Sequence, residues 1–195
     1  MDEAAILLAK AAETEEELAR KQREASREKL AKIYLARGRN ETYAGHYKEA
    51  LPWYTKVAGL KVTREPELLN EFGLAWLRAG DYKAARPFLQ DALTIREKMF
   101  ETGDPDLAVS LNNLALLYKT QGKYAEAEPL YRRAYAIMKA RLGLAHPNTK
   151  TVLSNYADLL VRQKNQEVRA LLPDLQAAFP DRFAGEKETR TGTSP

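Results

Sequence analysis

The sequence predicts an all-α solenoid of about four stacked helix pairs with an extra N-terminal helix. Three observations predict it. The phrase "LNEFGLAWLRAGDYKAARPFLQDAL", residues 69–93, returns 42 residues later as "LNNLALLYKTQGKYAEAEPLYRRAY", residues 111–135. Within each copy the apolar residues recur at three- and four-residue steps, the period of a helix with one buried side. One glycine separates two such runs in each copy, and glycine takes a positive φ without steric cost. Units of this length bury their apolar sides by stacking on their neighbours.

Aligned at the 42-residue offset, Leu69 meets Leu111, Asn70 meets Asn112, Trp76 meets Tyr118 and Gly80 meets Gly122. Tyr82, Ala85, Pro87 and Ala92 likewise meet Tyr124, Ala127, Pro129 and Ala134. In the later copy Leu111, Leu114, Ala115 and Tyr118 line a first helix, and Tyr124, Ala127, Tyr131, Ala134 and Tyr135 line a second. The small residues Ala115 and Ala127 admit close approach, and the aromatics fill the space beside them. Upstream, "GHYKEALPWYTKV" repeats the pattern through Gly45, Tyr47, Ala50, Pro52 and Tyr54. Downstream, Leu153, Tyr156, Ala157 and Leu160 supply a fourth first helix, while "VRALLPDLQAAF" fits the second helix only with a two-residue insertion. Terminal units of an array deviate because one side meets water.

The pairs are expected at residues 30–63, 66–101, 105–142 and 147–179, within an array over 30–180. Pro105 and Pro147 are placed in first turns, where a missing N–H costs nothing, with Asp104 as an N-cap. Pro52, Pro87 and Pro129 fall later, so each removes one backbone hydrogen bond. Residues 1–29 form a charged helix outside the repeat, with Glu16–Arg20, Glu17–Lys21 and Glu28–Lys32 as i, i+4 pairs. Its apolar residues are too sparse for a coiled-coil seam, and it caps the array, fills its groove or mediates self-association. The small, polar tail over 181–195 is expected to be disordered.

Of 195 residues, 45% are hydrophobic and 30% charged, a globular balance, and the net charge is +4. Cysteine is absent, which excludes disulfides, thiolate metal sites and a cysteine nucleophile. No apolar run is long enough for a bilayer, and the acidic opening is unlike a signal peptide, so a cytoplasmic protein is expected. The excess of base lies between Lys119 and Arg141, six bases against two acids. A nucleic-acid surface and a solvated helix side both fit that stretch. Arg132 and Arg133 belong to a second helix, on the outer side, and no base-reading pair repeats with them.

The order Leu/Phe-Ala/Gly-x-x-Tyr/Trp, then Gly-x-Tyr-x-x-Ala, then an aromatic and a further Ala, resembles the tetratricopeptide repeat. The phrase "LNNLALLYKTQGKYAEAEPLY" and the linker "LGLAHPNT" resemble its kinesin-light-chain type. The resemblance covers residues 30–179 and implies a right-handed α–α superhelical solenoid with a peptide groove lined by first helices. Carried over by alignment, the groove positions are Lys32, Leu35 and Arg39, then Asn70, Leu74 and Arg78. They continue with Asn112, Leu116 and Lys119, then Ser154, Asp158 and Arg162; Asn113 and Asn155 repeat at 42 as well. Asparagine suits a peptide groove because its amide donates and accepts at once, yet it can equally bond neighbouring helices to each other. Five groove bases face Asp158 and Glu71, so the resemblance implies a protein or peptide partner of acidic character. Arg78 and Lys119 are expected to face solvent. The carboxylate clamp of chaperone-binding relatives is broken, with Leu35, Arg39, Glu71, Val109 and Asn113 in its places.

No catalytic constellation accompanies the repeats. His46 and His146 lie in turns without neighbours at metal-ligand spacing, and the glycines are scattered one per turn. No catalytic residue, metal or cofactor is assigned. The expected function is a non-catalytic adaptor; the alternatives are an oligomerisation or regulatory module of a larger assembly, then a nucleic-acid-binding solenoid.

Overall fold

A computed structural model describes residues 3–60, 65–99, 103–163 and 166–183. In chain order these residues form α1 (Glu3–Tyr43), α2 (Tyr47–Leu60), α3 (Pro66–Arg78), α4 (Tyr82–Met99) and α5 (Pro105–Thr120). Then come α6 (Tyr124–Leu142), α7 (Pro147–Arg162), a 3-10 segment (Gln166–Leu171), α8 (Leu172–Ala178) and α9 (Pro180–Phe183). The described residues contain no strand, and the helices pair in sequence into an all-α superhelical solenoid. The expected ends of the first two units, at 63 and 101, and the tail from residue 184 lie outside the described residues.

The first three pairs are closed by the same device. Gly45, Gly80 and Gly122 take φ of 83°, 89° and 74°. At the third turn the N–H of Lys123 reaches the carbonyl of Tyr118 at 2.9 Å, and that of Gly122 reaches Lys119 at 3.0 Å. The second turn repeats this with Asp81 on Trp76 and Gly80 on Leu77, and the first with His46 on Glu41 and Gly45 on Thr42. The two bonds satisfy carbonyls that a helix C-terminus otherwise strands, and the glycine supplies the left-handed residue between them.

Helix starts are as regular. Pro66, Pro105 and Pro147 each occupy the first turn, and Asp104 accepts the N–H of Asp106 at 2.7 Å. His146 plays the same part for α7, its Nδ1 accepting the N–H of Asn148 at 3.1 Å. Pro52, Pro87 and Pro129 are each the sixth residue of their helix, beyond the positions where a missing N–H is free.

Packing follows from residue size. Ala50, Ala85 and Ala127 are fully buried, and four residues later so are Tyr54, Leu89 and Tyr131. Opposite them the first helices carry Gly38, Gly73 and Ala115. A Cβ on Gly38 would fall 2.6 Å from the Tyr54 ring, and one on Gly73 2.5 Å from Leu89. These glycines let the paired helices close to a distance that an added methyl would prevent. Two apolar clusters result, one spanning α1 to α5 and one α5 to α8, sharing Leu93, Leu116, Tyr118 and Leu130 at their margin.

The two ends differ from the middle. The N-terminal helix and the first helix of the array are continuous in α1, with no break near residue 29. At the other end the fourth pair has a regular first helix, α7, but the 3-10 segment and the seven-residue α8 stand where α6 has 19 residues.

Candidate functional site

The first helices α1, α3, α5 and α7 present one residue stripe each at i, i+4 steps: Leu35 and Arg39; Asn70, Leu74 and Arg78; Asn112 and Leu116; Ser154, Asp158 and Arg162. Leu35, Leu74 and Leu116 are half-buried and form an apolar floor, while Lys32, Arg78, Ser154 and Arg162 are exposed.

The asparagines join neighbouring first helices. Asn70 Nδ2 donates to Ser110 Oγ at 2.8 Å, between α3 and α5, in a buried contact. Asn155 of α7 donates to Asn112 Oδ1 of α5 at 3.1 Å, and Asn112 donates to Asn113 Oδ1 at 3.2 Å. Asn70 and Asn112 are buried, so their bonds hold neighbouring first helices in register, and the buried Asn113 fixes the Asn112 amide within α5. Ser110 gave no sign of this in the sequence, because a lone serine in an apolar run has many uses.

Charge pairs do the same at the margins. Arg39 donates Nε–H to Glu71 Oε1 at 3.0 Å and Nη2–H to Oε2 at 2.9 Å, a two-pronged pair between α1 and α3. The Tyr54 hydroxyl donates to the same carboxylate at 3.0 Å and contacts Thr42 Oγ1 at 2.8 Å. Burial pushes the Tyr54 hydroxyl up to about 12, and the hydrogen bond that Arg39 donates to Glu71 raises the guanidinium above its ordinary value. Two places of the broken carboxylate clamp, Arg39 and Glu71, therefore neutralise each other.

Between α5 and α7, Lys119 Nζ lies 2.9 Å from Asp158 Oδ2, and Arg162 Nε donates to the same oxygen at 3.0 Å. Burial works against this carboxylate, yet the hydrogen bonds from Lys119 and Arg162 outweigh it and hold Asp158 below its ordinary range. The expectation that Lys119 faces solvent is corrected here. Its side chain is only 14% exposed, because the acid one helix along draws it down onto the array. Arg78 behaves as expected, exposed with its guanidinium 5.3 Å above the Tyr47 ring. Among the described residues no carboxylate pairs with Arg78 or with Lys32.

The basic stretch from Lys119 to Arg141 is similarly engaged. Arg132 meets Glu128, Arg133 meets Glu97 and Lys139 meets Asp174, all at 2.6 Å. Arg141 donates to the carbonyl of Gly103 at 2.9 Å. The sequence also gave no sign of Arg96, buried between units, which binds Glu67 at 2.8 Å and the carbonyl of Asp106. Among the described residues no group of three His, Cys, Asp or Glu could hold a metal ion, and no helix is long and apolar enough to cross a membrane.

Helix pairs closed by glycine turns and joined through polar residues of their first helices define a class of interaction solenoids. Residues 65–140 and 106–171 match the family described as tetratricopeptide repeat, and the chain belongs to that family. It is similar to a putative kinesin light chain of nearly identical TPR-like repeats from Podosopora anserina, with 18% identity and a TM-score of 0.60 over 98% of this chain and 100% of that one. YrrB, a TPR protein with an unusual peptide-binding site, is similar with 17% identity and a TM-score of 0.60, covering 82% of this chain and 74% of YrrB. Among sequences, the secreted RxLR effector protein RXLR-C07 of Plasmopara halstedii is 29% identical over 80 residues, 41% of this chain. The aligned stretch spans only 25% of that effector.

Proposed function

We propose that this chain is a non-catalytic adaptor that docks an acidic peptide or protein segment along the stripe of α1, α3, α5 and α7. The observation that carries the reading is the residual charge of that stripe. Glu71 and Asp158 satisfy part of its positive charge, while Lys32 and Arg78 stand exposed above the half-buried Leu35, Leu74 and Leu116. An apolar floor with uncompensated cations suits a segment that alternates acidic and apolar side chains. The likeness to YrrB supports a peptide in such a fold, and the exposed Lys32 and Arg78 support an acidic one. The basic stretch on α6 favours this over nucleic acid, because its bases already have partners within the chain.

The test titrates the protein against length-matched acidic, neutral and basic peptides and a single-stranded oligonucleotide. Acidic peptides are expected to bind, more weakly as salt rises, because screening reduces steering. Lys32→Glu with Arg78→Glu should abolish binding and leave the helical content unchanged, whereas Arg132→Glu with Arg133→Glu should leave it intact. Preference for the oligonucleotide, with loss only in the second variant, would move the site to α6.

A further inference from the structure

We propose that α1 is the contact through which two copies of this chain associate, antiparallel and side by side. The observation is a helix far longer than anything that covers it. Its companion α2 has 14 residues against 41 in α1. Every described side chain from residue 13 to residue 30 is exposed except the half-buried Ala19. Three large apolar residues stand in water there and just beyond: Leu18 at 58%, Leu30 at 42% and Ile33 at 53% exposure. They wind along the helix with Gln22 and Ser26 at three- and four-residue steps. The side turned to α2 uses other residues, Ala31, Tyr34 and Leu35.

The charge order says what covers this surface. Residues 13–17 hold four acids and no base, whereas residues 20–29 hold five bases and two acids. Within one helix only a few of these charges meet, as in the Glu17–Lys21 pair at 2.8 Å. A second α1 laid antiparallel sets the acidic segment of each copy beside the basic segment of the other, and both contacts form at once. A parallel partner would oppose like with like. The antiparallel arrangement is self-complementary, so it closes at two copies instead of continuing into a filament. It also shields Leu18, Leu30 and Ile33 without using the docking stripe, and does not depend on what that stripe binds.

Sedimentation of the intact chain over a concentration series tests this. The chain should show a monomer–dimer equilibrium whose dimer fraction falls as salt rises. A variant with Glu13, Glu15, Glu16 and Glu17 changed to Lys should sediment as a monomer, as should one with Arg20, Lys21, Arg23 and Arg27 changed to Glu. Mixed in equal amounts, the two should restore a dimer containing one of each. Circular dichroism checks that both variants stay helical. If either loses helix, Leu18→Ser with Leu30→Ser replaces it, leaving every charge in place, and should lower the dimer fraction. A parent chain that stays monomeric throughout, a dimer that strengthens with salt, or two helical variants that remain apart when mixed would each overturn the proposal.

Discussion

Arg39 of α1 and Glu71 of α3, 32 residues apart, form the only two-pronged ion pair between first helices among the described residues. The pair replaces the amide contacts that join α3 to α5 and α5 to α7. Because Glu71 also accepts the Tyr54 hydroxyl, the two partners are unequal. Removing Arg39 frees a carboxylate that keeps one donor and lies near solvent. Removing Glu71 leaves a half-buried guanidinium and a buried phenol without their acceptor. Chemical denaturation should therefore show Glu71→Ala costing more than Arg39→Ala, with a coupling in the double-mutant cycle of about 1 kcal/mol, since the guanidinium is partly exposed. Equal costs with no coupling would mean that the pair adds nothing to the joint.

Two glycines should fail for different reasons. Gly122 has φ of 74° and open space around its Cα, so valine there pays only for the left-handed backbone, about 1 kcal/mol or more. Gly73 lies within a helix, where a Cβ would sit 2.5 Å from Leu89, so alanine pays for a clash of about 1–3 kcal/mol. The added loss of Leu89→Ala should relieve the second cost and leave the first unchanged. Thermal unfolding of the four variants separates the two causes. Relief at Gly122, or none at Gly73, would show that the assignments are reversed.

Hydrogen exchange should rank the units. Helices α3 to α6 have a pair on each side, and their amides should be the most protected. The short α8 and α9 follow an irregular 3-10 segment in place of a full second helix and should exchange first. Equal protection from α3 through α9 would mean that the chain unfolds as one block and not as a stack.

The repeat was legible because its causes are local. Each glycine turn, each first-turn proline and each buried alanine followed four residues on by a large apolar side chain is specified within a few residues, and the 42-residue offset shows the same specification twice. The register between units was less legible, because it rests on residues nearly forty positions apart whose types have many uses. Asn70 and Ser110, or Lys119 and Asp158, become partners only once the superhelix sets one first helix beside the next. Charge counting overstated how much of the stripe is free for that same reason. The stretch from Lys119 to Arg141 showed an excess of base that fitted two readings, because two of the acids that pair with it, Glu97 and Asp174, lie on other helices. The fourth pair showed its deviation as a two-residue insertion, but not that a 3-10 segment would absorb it. The continuity of α1 past residue 29 was hidden because charged residues carry no period that marks a boundary.

Acid should loosen the C-terminal end of the array through two carboxylates. Asp158 receives Lys119 and Arg162, and Asp174 receives Lys139 and the Tyr135 hydroxyl across α6 and α8. The hydrogen bonds from Lys139 and Tyr135 hold Asp174 below its ordinary range, as those from Lys119 and Arg162 hold Asp158 against the opposing effect of burial. A carboxyl whose folded pKa lies below its unfolded value of 3.8 binds fewer protons when folded. Its contribution to stability is present above that value and is lost as pH falls through the folded pKa. Stability should thus be level around neutrality and decline as pH drops past the ordinary carboxylate range. Asp158→Asn with Asp174→Asn removes both titrations, so the variant should be less stable at neutral pH and show a shallower decline in acid. Denaturant midpoints of parent and variant, measured from neutral pH downward, should converge at the acid end. Parallel curves would show that other carboxylates govern the acid transition and that neither aspartate is tied more tightly in the folded chain than in the unfolded one.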